Sequence, residues 1–238
     1  LRRLFAILAG SALLLLALAG EAIPQGRIIL RGPASGTHLR LTVEGGNLQV
    51  SGALAEASEG CDRGRGVTSC SLRGVGEIEV DTGPADDKVE VLDPLPVPLS
   101  AYLGDGSDKL IGNSERDFCH PQGTPRNRCI GEAGDDVCIS GPVNTDCVGG
   151  PGDDLCKTGD GSDGCWGGPG KDICMMGGGE DGCHGEGGND RLYGGPGADQ
   201  LYGGPGKDYC DVEGGGGQVH ECELGPRGRH VFRNRKTR

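Results

Sequence analysis

From Leu103 to Asp211 one apolar or cysteine side chain recurs at intervals of nine residues, flanked by Gly, Asp and Pro. This period fits neither the 3.6 of an amphipathic helix nor the sustained alternation of a long half-buried strand. Starting from Gly149, units begin at Thr158, Gly167, Met176, Gly185, Gly194 and Gly203 without slippage, and in each the fourth residue is Gly and the sixth Asp. The single inward-facing eighth place is filled by Cys156, Cys165, Cys174, Cys183, Leu192, Leu201 and Cys210. Units also start at Leu103 and Gly112, the latter carrying Asp117 and Cys119. An inserted Pro121 then shifts the frame for those at Gln122, Gly131 and Ser140. A decayed unit from Val212 to His220 keeps only Val219 inward.

Upstream the pattern changes. Arg27 to Leu30, His38 to Val43 and Asn47 to Ser51 alternate as strands, broken by Gly32, Gly36 and Gly45-Gly46. Gly76 to Val80 and Lys88 to Leu92 resume the alternation, and Asp86-Asp87-Lys88-Val89 reads as a degraded repeat. Pro94, Pro96 and Pro98 read as a stiff extended connector. At the start, Arg2 and Arg3 precede an apolar run from Leu4 to Ala19, followed by small-residue cleavage sites, which reads as a secretory signal peptide over 1–22. The expected organisation is this signal, a strand-rich region over 23–100, a repeat roll over 101–222 and a basic, disordered tail over 223–238. The tail carries Arg227, Arg229, Arg233, Arg235, Lys236 and Arg238.

Composition narrows the means of stabilisation. With 49 Gly and 3% aromatic residues among 238, the chain cannot build an ordinary layered core. Its 12 Cys and formal charge of -12 point to disulfides and bound metal, and exclude nucleic acid as a partner. An exported chain enters an oxidising space where paired thiols persist, so the expected location is extracellular, with no membrane span after signal cleavage.

The nonapeptide matches the G-G-x-G-x-D-x-U-x pattern of parallel β-rolls. Over roughly its C-terminal half the chain resembles the repeats-in-toxin, or hemolysin-type, calcium-binding family. The resemblance implies an all-β fold, a right-handed parallel β-roll in which six residues turn, three form a short strand, and two units make one coil. It also implies Ca²⁺ held between stacked turns. Glycine at the second and fourth places turns carbonyl oxygens inward while the sixth-place Asp adds charge, and hard oxygen donors select Ca²⁺. The expected carboxylate ligands are Asp108 and Asp117, one column of Asp136, Asp154, Asp172, Asp190 and Asp208, and the other column of Asp163, Asp181 and Asp199. The accompanying glycines are Gly134, Gly150, Gly152, Gly161, Gly168, Gly170, Gly179, Gly188, Gly195, Gly197, Gly204 and Gly206. Stacked aspartates about 5 Å apart repel one another, so folding is expected to be coupled to calcium.

The family places Leu, Ile or Val where this chain has Cys. The coil sorts eight cysteines into two columns, Cys119, Cys138, Cys156 and Cys174 in one, Cys129, Cys147, Cys165 and Cys183 in the other. Neighbouring strands lie about 5 Å apart and facing sheets about 10 Å apart. Pairing within columns is therefore expected: Cys119 with Cys138, Cys156 with Cys174, Cys129 with Cys147, and Cys165 with Cys183. Sequence-adjacent pairing, such as Cys156 with Cys165, is the alternative for an unusually thin roll. Cys61 with Cys70 closes a loop and Cys210 with Cys222 clips the C-terminal end. The units at Gln122 and Ser140 replace the Gly and Asp with Pro125 and Asn127, and with Val143 and Thr145, yet keep Cys129 and Cys147. Covalent links are expected to substitute for metal there. A zinc-thiolate cluster is disfavoured, because the nine-residue spacing provides no tetrahedral set.

No H-E-x-x-H or G-x-S-x-G motif occurs, and His38, His120, His184, His220 and His230 are scattered. His120 and His184 occupy ninth places that should face outward. The expected function is a secreted, non-enzymatic calcium-binding protein. The alternative is an extracellular adhesion or matrix module with Trp166, Tyr193, Tyr202 and Tyr209 as anchors, or a basic tail contacting a cell-surface polymer.

Overall fold

The computed structural model describes residues 26–123, 126–213 and 216–223. The signal-peptide reading and the basic tail beyond residue 223 lie outside the described residues. Among those residues every regular element is a strand. In chain order they are β1 (Gly26–Arg31), β2 (His38–Glu44), β3 (Asn47–Ser51), β4 (Glu56–Ala57), β5 (Cys61–Arg63), β6 (Val67–Ser71), β7 (Val75–Asp81), β8 (Lys88–Val91), β9 (Leu99–Gly104), β10 (Lys109–Ile111) and β11 (Phe118–Pro121). They continue with β12 (Asn127–Ile130), β13 (Val137–Ile139), β14 (Thr145–Val148), β15 (Leu155–Lys157), β16 (Gly164–Gly170), β17 (Ile173–Met175), β18 (Gly182–Gly188), β19 (Arg191–Tyr193), β20 (Gln200–Tyr202), β21 (Tyr209–Asp211) and β22 (Gln218–His220).

Successive strands alternate between two sheets. The odd-numbered strands from β21 back to β7, then β1 and β4, form one sheet. The even-numbered strands from β22 back to β8, then β2, β3, β6 and β5, form the other. Eight two-strand coils, β7–β8 to β21–β22, thus stack in parallel on β1 and β2 as a β-solenoid. Antiparallel pairing is confined to the N-terminal end, where β4 covers β1 and the β2-β3-β6-β5 ribbon closes the other sheet. The sheets end there on β4 and β5, strands of 2 and 3 residues, and edges so short offer little template for pairing with another chain. Cys61 and Cys70 face each other across β5 and β6 and are bonded, with Cα atoms 4.2 Å apart, as the sequence suggests.

The inserted residue at Pro121 is absorbed as a register irregularity between His120 and Pro121, after which the coils regain their phase. Neither sheet breaks at residue 100: Ile78 pairs with Leu99 and Val80 with Ala101, while Val89 pairs with Leu110. The division expected between a strand-rich region and a roll therefore coincides with no gap in the solenoid. Even the proline-rich connector is tied in, through the fully buried Leu95.

What changes along the stack is the interior. Each long N-terminal strand sends two apolar side chains inward: Ile28 and Leu30, Leu39 and Leu41, Leu48 and Val50, Ile78 and Val80. From β10 onward each strand sends one such side chain inward, the seven-residue β16 and β18 being extended only by turn residues, so a single file of Leu110, Cys119, Cys129, Cys138, Cys147 and their successors fills the core. A full-size aliphatic side chain contributes about 1.5–3 kcal/mol on burial, so the single-file half has much less hydrophobic stabilisation per coil.

Candidate calcium sites in the stacked turns

The sixth-place aspartates close each turn just before its strand and sit above one another. On one edge the backbone N–H of Asp136 donates to Asp154 Oδ1 at 2.7 Å, Asp154 to Asp172 at 2.8 Å, Asp172 to Asp190 at 2.9 Å, and Asp190 to Asp208 at 2.9 Å. On the other edge Asp163 donates to Asp181 at 2.8 Å and Asp181 to Asp199 at 3.1 Å. The two columns expected from the phase of the repeat are thus formed, with every member buried.

Each carboxylate uses one oxygen in this ladder and leaves the other without a partner. Buried Oδ2 atoms of Asp108, Asp136, Asp154, Asp163, Asp172, Asp181, Asp190, Asp199 and Asp208 make no hydrogen bond. Such an atom costs desolvation free energy unless a cation or proton meets it. It lies beside the first-place glycine: a Cβ added to Gly185 would lie 2.5 Å from Asp190 Oδ2 and 2.7 Å from the Gly203 carbonyl oxygen. The same carboxylate overlap occurs at Gly131, Gly149, Gly167, Gly194 and Gly203. These first-place glycines were not among the expected site residues, although their recurrence in the motif is visible in sequence.

The expected second- and fourth-place glycines are required for a related reason. Cβ atoms on Gly168 and Gly170 would run into the carbonyl oxygens of Gly150 and Gly152 in the adjacent coil, and Gly179, Gly197 and Gly206 would meet those of Gly161, Gly179 and Gly188. Gly152 and Gly161 also hold φ of 156° and 150°, which disfavours side chains. Gly134, Gly195 and Gly204 make the same close approach to the preceding coil. Carbonyl oxygens therefore line the spaces between turns alongside the unpartnered carboxylate oxygens. This all-oxygen donor set fits a hard divalent cation such as Ca²⁺. Among the described residues no group of three or more His, Cys, Asp or Glu side chains converges as a metal cluster, so carbonyls must complete any coordination.

Burial makes these carboxyls reluctant to ionise. It pushes Asp108, Asp136, Asp154, Asp172 and Asp181 up to about 7 and Asp117 and Asp208 up to about 6, against backbone hydrogen bonds that lower them. Asp163, Asp190 and Asp199 are raised for the same reason.

Three turns differ. Asp117, an expected ligand, has both oxygens engaged: Oδ1 accepts from Leu99 N at 3.2 Å, Oδ2 from Asn113 N at 2.7 Å, and Asn113 Nδ2 donates to both. Asn127 accepts from Asp108 N through Oδ1, but its Nδ2 donates to the Gly123 carbonyl at 2.7 Å. Thr145 Oγ1 donates to the Val143 carbonyl at 3.2 Å. Protein N–H and O–H groups thus stand where the other turns present unpartnered oxygen. Asp87, conversely, joins the column from outside the expected set. It is buried, accepts from Thr37 N at 2.5 Å, and leaves Oδ2 unpartnered, while Asp87 N donates to Asp108 Oδ1 at 2.9 Å. Its turn has Ala85 at φ 152° where the later repeats have glycine, which is why the unit reads from sequence only as a degraded repeat.

Cys210 is bonded to Cys222 as expected, but the pairing of the other cysteines in the roll corrects the expectation of bonds within columns and takes the sequence-adjacent form. Bonds join Cys119 to Cys129, Cys138 to Cys147 and Cys165 to Cys174, so each of these three crosses between the sheets and none runs along a column. In-register neighbours such as Cys138 and Cys156 project side by side from parallel strands. Facing cysteines are only 6.0–6.3 Å apart at Cα, within bonding range, because the interior holds one small side chain per strand rather than two interdigitating layers. Cys156 and Cys183 are buried thiols. Outside, His184 stacks between Trp166 and Tyr202 at centroid distances of 6.0 and 4.7 Å, and His120 Nδ1 contacts the Ile139 carbonyl.

The fold and its turns define a parallel β-solenoid with oxygen-lined edges. Residues 148–182 and 184–219 match the family model of the RTX calcium-binding nonapeptide repeat (4 copies). No curated protein and no solved structure matches the chain.

Proposed function

We propose that this chain is a secreted, non-enzymatic protein in which Ca²⁺ ions bound between stacked turns fold and stabilise the roll, with disulfides reinforcing the coils. The observation that carries the reading is the row of buried, unpartnered Asp Oδ2 atoms aimed into turns lined by carbonyl oxygens. When bound there, a cation supplies the positive charge that the buried carboxylates lack. Asp154, Asp172, Asp190 and Asp208 would hold ions on one edge and Asp163, Asp181 and Asp199 on the other, with Asp87 and Asp108 extending the second column upstream. Five disulfides favour an oxidising location outside the cytoplasm. Calcium titration followed by circular dichroism tests the reading: β content should rise with calcium and fall with a chelator. Equal spectra in both conditions, with no calcium retained on dialysis, would overturn it.

A second reading, an adhesion or matrix module, draws on the outer face of the odd-numbered sheet. Phe118, Val137, Leu155 and Ile173 form an apolar column there, flanked by the exposed Tyr102 and Met175. Pull-down from cell envelopes, compared with a Leu155→Lys variant, tests it. Retention of the same proteins by both forms would count against it.

A further inference from the structure

From Cys119 to Cys183 the inward cysteines form a zigzag in which each internal member faces two on the other sheet, one in its own coil and one in the adjacent coil, while Cys119 and Cys183 at the ends face one each, next to Leu110 and Leu192. Both kinds of step are bridged in this structure. Cys119–Cys129 and Cys138–Cys147 span strands within one coil, β11 to β12 and β13 to β14, at Cα separations of 6.1 and 6.2 Å. Cys165–Cys174 spans consecutive coils, β16 to β17, at 6.3 Å. Because the two steps are equally bondable, backbone geometry does not select between them. The change from one kind of step to the other strands Cys156 and Cys183 as thiols at either end of the Cys165–Cys174 bond. Cys156 faces Cys165 across its own coil, and Cys183 faces Cys174 likewise.

We propose that Cys156, Cys165, Cys174 and Cys183 are one four-sulfur redox unit with two states: a single Cys165–Cys174 disulfide flanked by thiols, or two disulfides, Cys156–Cys165 and Cys174–Cys183. The first step moves no electrons in or out. The Cys156 thiolate attacks Cys165 Sγ, the Cys165–Cys174 bond breaks, and Cys174 leaves as a thiolate that takes up the proton Cys156 released. The second step needs an oxidant of the small-molecule disulfide class. Cys174 attacks it, giving a mixed disulfide and one thiol; Cys183 then attacks Cys174 Sγ and releases the second thiol. The roll loses two electrons and two protons, and the oxidant becomes two thiols. Burial raises both the Cys156 and Cys183 thiols above their ordinary range, so exchange proceeds through local opening of the coils and takes minutes to hours.

Trypsin distinguishes the states, since Arg128, Lys157, Lys171 and Arg191 separate the four cysteines into segments 129–157, 158–171 and 172–191. The full chain is incubated overnight in calcium with a reduced and oxidised glutathione buffer, alkylated under denaturing conditions and mapped without reduction. The expected change is from two alkylated thiols per chain to none, with segment 158–171 moving from 172–191 to 129–157 and 172–191 gaining an internal bond. Persistence of both thiols with the original linkage, glutathione retained on either cysteine, or a Cys156–Cys183 bond would overturn the proposal. Two variants test each rung without the exchange step. Cys165→Ser should form Cys174–Cys183 and leave Cys156 free, and Cys174→Ser should form Cys156–Cys165 and leave Cys183 free. Failure of either bond to form would sink the proposal even if the wild-type chain were slow to exchange.

Discussion

The two ends of one continuous solenoid are held by different physics. Between β1 and β9 the long strands β1, β2, β3, β7 and β8 each bury two aliphatic side chains and β9 buries three, and the hairpin ribbon closes the end. Between β15 and β21 each strand buries one side chain, often Cys, and each turn carries a buried carboxylate with an unpartnered oxygen. Between them lie turns where Asn113, Asn127 and Thr145 supply hydrogen atoms in place of a cation, next to the bonds Cys119–Cys129 and Cys138–Cys147. The backbone path is common to all three stretches, so a solenoid coil can be closed by hydrophobic burial, by protein donors with a disulfide, or, as proposed for the third stretch, by metal. Only the last requires a ligand from solution.

Chelation should separate the two ends of the solenoid most visibly. In hydrogen exchange, residues 149–211 should lose protection without calcium, while β1, β2, β7 and β8 keep theirs; uniform loss along the chain would show that the leucine-cored end does not stand by itself. A pH series on the chelated chain follows. Folding raises the aspartates from the ordinary value near 3.8 to about 7 in Asp136, Asp154, Asp172 and Asp181, so the folded form binds more protons. That stabilisation is complete below the unfolded value and is lost as pH rises through about 7. Circular dichroism should accordingly show more β structure at pH 4.5 than at pH 8 in chelator, with the trend weakened or reversed in excess calcium.

Single substitutions sharpen the contrast further. Leu39→Ala should cost about 2–5 kcal/mol in thermal or denaturant unfolding, by the same amount with and without calcium, because it opens a cavity away from any turn. Asp172→Ala should cost about 3 kcal/mol in calcium yet raise stability in chelator, where it removes a buried charge with nothing to balance it. Asn127→Ala should cost about 1 kcal/mol in both conditions, the worth of a buried hydrogen bond. A calcium dependence in the last case would show that Asn127 belongs to a metal site after all.

Much of the site is legible in residue order because a nine-residue period in an 18-residue coil brings every second unit to the same edge, and the columns of Asp154 and Asp163 follow from counting. The unit of Asp87 is legible only as a degraded repeat, and Asp87 stays outside the expected ligands, since Ala85 interrupts the glycine pattern while adopting the backbone that glycine would. The partners of Asp117 escape it for a different reason: Asn113 is an ordinary polar residue until the turn folds its amide onto the carboxylate.

The order of residues by itself determined the strand phase, the inward identity of each cysteine and the alignment of the aspartates, all of which depend on spacing along the chain. Which cysteines bond was decided only in three dimensions. An interior one small side chain wide brings the sheets to about 6 Å between facing Cα atoms, whereas packed sheets of ordinary side chains stand near 10 Å apart. That approach distance belongs to no single residue, because it is the sum of what both sheets place between them.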